Sequence, residues 1–123
     1  MTHLLHQLIE NAAQHHPDLS ALKHKQDTIN YRTLWQQVEQ LANAFIHLGL
    51  NKHDRVAIYL PKQFATVISF FACSKAGLIF VPVNPLLKSS QLAHILNDSG
   101  ARLLIGIVLV LFLLMLLGVF VVT

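Results

Sequence analysis

Residues 54 to 85 constrain this chain most. They read D-R-V-A-I-Y-L-P, then K-Q-F-A-T-V-I-S-F-F-A-C-S-K-A-G, then L-I-F-V-P-V-N-P. Arg55 to Leu60 is a short run of residues that suit a strand, and Pro61 stops it because proline brings no N–H to a ladder. Lys62 to Ala76 contains neither Pro nor Gly and is apolar on most faces, which predicts a largely buried helix. Gly77 stands where a helix C-terminus favours a residue able to take a positive φ. Ile79 to Val83 is a second strand-like run, closed by Asn84-Pro85. A strand, a helix and a strand in this order make a βαβ unit, with parallel strands and a right-handed crossover.

The flanking residues extend the pattern. From His3 to His16, Leu4, Leu5, Leu8, Ile9, Ala12 and Ala13 form the stripe of an amphipathic helix, which Pro17 ends. Ser20 to Lys25 and Thr28 to Asn30, separated by Gln26-Asp27, predict a small antiparallel hairpin. Asn30 is placed to cap the next helix, whose Tyr31, Leu34, Trp35, Val38, Leu41, Ala42, Phe45 and Leu48 are expected on one face, with Gly49 closing it. Asn51 to Asp54 is a polar turn into the first strand of the βαβ unit. After Pro85, Ser89 or Ser90 can cap a helix to about Asp98 with Leu92, Ala93, Ile95 and Leu96 inward. Gly100 closes it, and Ala101 to Ile105 reads as another apolar strand. The expected fold is α/β: a partial doubly wound, mainly parallel sheet with flanking helices.

Composition narrows the function classes. The formal charge is only +3 and the nine Lys and Arg are scattered, which argues against a nucleic-acid partner. The single Cys cannot form an internal disulfide, so no oxidising compartment is indicated. The opening M-T-H-L-L-H-Q-L-I-E-N lacks the basic and continuous apolar regions of a signal peptide.

The order of segments resembles that of a known family. H-H-P-D-L-S-A-L, I-N-Y-R-T-L-W-Q-Q-V-E-Q-L-A-N-A-F-I-H-L-G-L, K-H-D-R-V-A-I-Y-L-P, the helix ending K-A-G, V-P-V-N-P and Q-L-A-H-I-L-N-D-S-G-A-R-L-L-I follow one another without a gap. Together they resemble the N-terminal portion of AMP-forming acyl-CoA synthetases, members of the adenylate-forming AMP-dependent synthetase/ligase superfamily. The likeness covers residues 3 to 105; each motif is short and structural, and their order carries the match. It implies, for a full-length enzyme, ATP-dependent activation of a carboxylic acid through an acyl-adenylate, with transfer to coenzyme A and with Mg as metal. It also implies what is missing: the Ser/Thr/Gly-rich phosphate loop ending in Pro-Lys-Gly, the aromatic-Thr-Glu segment, the ribose-binding Asp and the catalytic Lys. Composition agrees, since a phosphate cradle needs clustered glycines, and Gly49, Gly77, Gly100, Gly106 and Gly118 are isolated. The chain is therefore expected to be an inactive part of an acyl- or aryl-CoA ligase.

No catalytic, cofactor-binding or metal-ligating residue is assigned. The eight histidines, including His3, His6 and the His15-His16 pair, have no Cys or carboxylate at a ligand spacing, so they read as solvated or half-buried. Cys73 lies inside the most apolar helix and reads as a buried thiol rather than a nucleophile. Tyr31 and Trp35 share the helical face of Leu34 and Val38, where core packing is the default. Asp54-Arg55 and Asn84-Pro85 read as turn-forming residues.

The last segment differs. Residues 1–102 read as the synthetase-like portion, and residues 103–123 as an apolar tail with no charge. Its length, about twenty residues, suffices for a helix across a hydrocarbon core of about 30 Å. With Arg102 on its N-terminal side, such a helix would anchor the chain in a lipid bilayer with the globular part in the cytoplasm. A membrane-anchored binding or scaffold protein is the alternative function, and without a genuine tail a cytoplasmic location is expected. The tail starts inside an expected strand and without a linker, which points instead to a shift of reading frame. Sequencing the locus checks this: downstream of about codon 105 another frame should encode more synthetase, including the phosphate loop. Absence of that loop from every frame would remove the frame-shift reading.

Overall fold

The computed structural model describes residues 4–61 and 63–106. Helix α1 (Leu5–His15) is followed by an antiparallel hairpin of β1 (Ser20–His24) and β2 (Asp27–Asn30). Helix α2 (Tyr31–His47) starts directly from the hairpin, because Asn30 Oδ1 accepts a hydrogen bond from Thr33 N–H at 2.9 Å. Then come β3 (Arg55–Ile58), α3 (Phe64–Ala76), β4 (Ile79–Pro82), α4 (Ser89–Ser99) and β5 (Leu103–Ile105). The three later strands form one parallel sheet in the order β4-β3-β5.

The sheet is built around β3. Val56, Ala57 and Ile58 are opposite Phe80, Val81 and Pro82 on one side and Leu103, Leu104 and Ile105 on the other. Pro82 is tolerated because the bond to β3 is made by the neighbouring Val83 N–H, to Ile58 C=O, and β4 has no second partner among the described residues. Val56, Ile58 and Ile105 face a core shared with Leu34, Val38, Leu41 and Phe45 of α2 and with Ile68, Ala72 and Cys73 of α3. Gly77 ends α3 at φ 75°, and Leu78 N–H bonds back to Cys73 C=O at 2.8 Å. A side chain at Gly77 would be strained there and would meet Lys52 Cγ at 3.3 Å.

The opposite face of β3 is served by α4. Arg55 Nη1 donates to Ser99 C=O at 2.7 Å, and Tyr59 OH donates to Leu87 C=O at 2.6 Å. These two odd-numbered residues reach the far and near ends of α4, so α3 and α4 lie on opposite sides of the sheet. The cover is unequal. No residue of α4 is buried; Leu92, Ile95 and Leu96 are half-buried and Ala93 is exposed, against the expectation that all four point inward.

Several boundaries also differ from expectation. The hairpin turns at Lys25-Gln26, one residue earlier than Gln26-Asp27, with Lys25 at φ 57° and His24 opposite Asp27. β3 stops at Ile58, and α3 starts at Phe64 rather than Lys62. Ser89 and Ser90 do not cap α4; Lys88 precedes it, and Lys88 N–H is satisfied by Gln91 Oε1 at 3.1 Å. In α1 the buried residue is His6, while Leu4, Leu5 and Leu8 remain exposed. The expected membrane helix begins, at Leu103–Ile105, as strand β5, because these backbone groups pair with β3. Its remainder lies outside the described residues, and no helix among the described residues is long and apolar enough to cross a membrane.

Leu8→Ala, with Phe45→Ala of α2 as the buried reference, tests which face of α1 is turned inward. Phe45 is fully buried, so its truncation should cost about 3–5 kcal/mol in urea unfolding. Leu8 is 63% exposed, so its truncation should stay within about 0.5 kcal/mol. A comparable loss at Leu8 would mean that the leucine stripe faces the core after all.

Candidate functional site

In parallel sheets, ligands are held beyond the carboxyl ends of the strands, where successive crossovers diverge. Here the crossover through α3 leads to one side of β3 and that through α4 to the other, which places the crevice beside the ends of β3 and β5. The loops at this end are closed by their own hydrogen bonds. Tyr59 N–H donates to Ile105 C=O at 2.9 Å, and Val83 N–H to Ile58 C=O at 3.0 Å. Thr66 Oγ1 donates to Pro61 C=O at 2.6 Å, and Asn84 Oδ1 accepts from Leu86 N–H at 2.9 Å. Together with the Tyr59 hydroxyl on Leu87, these contacts fix the platform and offer no nucleophile paired with a base.

Beside it, Leu87, Ser90, Gln91, His94 and Ile95 line a shallow, open depression of about 530 Å³. His94 Nε2 is 3.2 Å from Asp98 Oδ2, but both groups are well exposed, and such a pair is worth little. At the amino ends of the strands, Asp54 Oδ2 accepts from Asn51 N–H at 2.7 Å, the turn-forming role expected of it. Arg55 satisfies a carbonyl at the C-terminal end of α4, and Arg102 Nη1 stands 4.0 Å from Asp54 Oδ1.

Among the described residues, no group of three or more His, Cys, Asp or Glu side chains could hold a metal ion. His15, His16, His47, His53 and His94 are exposed and His24 is half-buried; His3 lies outside the described residues. Cys73 is wholly buried in α3, and burial pushes its thiol up to about 12. It therefore stays protonated and inert, as its apolar surroundings imply.

One cluster has no counterpart in the sequence reading. His6 of α1, Trp35 of α2 and Ser74 and Lys75 of α3 meet where the three helices pack. The His6 ring stacks on Trp35 with centroids 6.4 Å apart and planes 13° apart. Lys75 Nζ lies 5.2 Å from the centroid of the same indole. Periodicity missed this because it ranks leucine above histidine as an inward residue. The available signal was the spacing of His6, Ile9 and Ala13, which share a face at i, i+3 and i+7.

The family model described as AMP-binding enzyme matches residues 9–115, so the chain belongs to this family. The match continues past Ile105, where the resemblance was expected to stop. The phosphinothricin tripeptide synthetase PhsC of Streptomyces viridochromogenes is 33% identical over 101 residues, 82% of this chain and 9% of that protein. A feruloyl-CoA synthase of Amycolatopsis sp. is 39% identical over 89 residues, 72% of this chain and 18% of that protein. The N-terminal subdomain of Klebsiella oxytoca NpsA superimposes with a TM-score of 0.78 at 31% identity, covering 85% of this chain and 28% of that one. The mixed α/β arrangement of four helices and a small parallel sheet among the described residues is thus that of an N-terminal subdomain of NpsA. The chain spans less than a fifth of the length of these two curated relatives.

Proposed function

We propose that this chain forms the N-terminal sheet of an AMP-forming acyl- or aryl-CoA ligase and is catalytically silent by itself. The observation that carries this reading is the closed platform at the carboxyl ends of β3 and β5. The site position of an α/β sheet is present, and the Tyr59, Thr66 and Asn84 side chains there are each bonded to a loop carbonyl or amide. In this reading the opposed crossovers are the beginning of a doubly wound sheet. The outer edges of β4 and β5, which have no partner among the described residues, are where further strands add.

The names of relatives support the substrate class. Feruloyl-CoA synthase takes its name from an aryl acid and coenzyme A. The NpsA subdomain, 32% identical to this chain, has been solved in complex with anthranilyl-AMSN. In the full-length enzyme ATP, Mg and coenzyme A would supply adenylation and thiol transfer. The described residues include no group of three or more His, Cys, Asp or Glu side chains that could hold a metal ion. Their contribution is to hold the ends of β3 and β5 in register.

ATP–pyrophosphate exchange with a panel of aliphatic and aromatic carboxylates tests the proposal. The chain alone should give no exchange above a heat-killed control. Exchange above that control with any acid would show that it carries a complete adenylation site.

A further inference from the structure

His6 is the one described residue of α1 that is buried, 8% exposed, and it is ionisable. Its contacts are unusually specific. As the second residue of α1, it has a backbone N–H with no partner inside the helix. Ser74 Oγ, on α3, accepts that N–H at 3.1 Å. The same hydroxyl stands 3.0 Å from His6 Nδ1. Among the described residues these are the hydrogen-bond contacts of the Ser74 side chain. The arrangement is satisfied when Nδ1 accepts the hydroxyl proton and Nε2 carries the ring proton.

We propose that the contact of His6 with Ser74 and Trp35 is a pH-sensitive latch, in which the neutral imidazole docks α1 on α2 and α3 and protonation releases it. A proton on Nδ1 turns that atom into a donor, so the Ser74 hydroxyl loses its acceptor. The new charge also lies beside the Lys75 ammonium from α3, with Glu10 of α1 as the one opposing carboxylate. From α2 it meets the neutral indole of Trp35. An indole attracts an imidazolium, but this ring already faces Lys75, so a second cation there meets a like charge. Burial and then Lys75 hold His6 below the ordinary histidine range, and Glu10 partly offsets them. The sign follows: the unfolded or undocked chain binds the proton more readily, so docking is at full strength above about pH 6.5 and weakens as pH falls below it toward the lower range of the docked ring.

Trp35 is the only tryptophan, so its emission reports the latch directly. The full chain is titrated from about pH 8 to about pH 5, with amide hydrogen exchange of residues 5–15 followed in parallel. The expected result is a single transition in emission below pH 6.5, accompanied by loss of α1 protection. His6→Asn, which keeps an acceptor but cannot be charged, should abolish both. Lys75→Gln should move the midpoint up and Glu10→Gln should move it down, and these two changes serve if the His6 variant does not fold. A transition that persists in His6→Asn, midpoints indifferent to Lys75 and Glu10, or α1 protection that stays flat across the range would each overturn the latch.

Discussion

The backbone groups of Val56, Ala57 and Ile58 lie where water does not reach, so each needs a partner within the protein. β4 and β5 supply those partners from both sides, and that requirement orders the rest of the fold. A parallel neighbour can be reached only through a crossover. Two crossovers to opposite sides put α3 and α4 on opposite faces. The face of Val56 and Ile58 is sealed by α2 and α3 with large side chains such as Phe45 and Leu34. The other face relies on Arg55 and Tyr59 tying down the ends of a helix that buries nothing of its own. Stability should therefore be concentrated on the α2–α3 side.

What was legible in the sequence depended on whether the cause was local. Asn30 caps α2 and Gly77 ends α3 because each acts within its own turn of backbone, and both were readable. The apolar runs at 55–60 and 79–83 likewise identified the βαβ unit. The misreadings share a different origin. His6 turns inward because of Ser74, 68 positions away, and no periodicity within α1 contains that partner. Lys25 takes the positive φ usually given to glycine, so the hairpin turn carried no composition signal. At 103–105 an apolar run fits a strand or a membrane helix equally well, and pairing with β3 decides for the strand.

Family membership and chemistry separate cleanly in this chain. The family is carried by a scaffold whose conformation follows from caps, turns and one buried strand pair. Tyr59, Thr66 and Asn84 stand where a ligand-binding sheet places its functional side chains, and all three brace loops instead. The buried ionisable side chain of α1, His6, has its partners on the neighbouring helices α2 and α3.

Amide hydrogen exchange along the whole chain measures the dependence on β3 most directly. If the buried, doubly paired strand is the keystone, the amides of residues 56–59 exchange more slowly than all others, and those of α4 exchange fast because that helix buries no side chain. Exchange in 56–59 as rapid as in α4 would contradict the account, because the sheet would then be held from elsewhere.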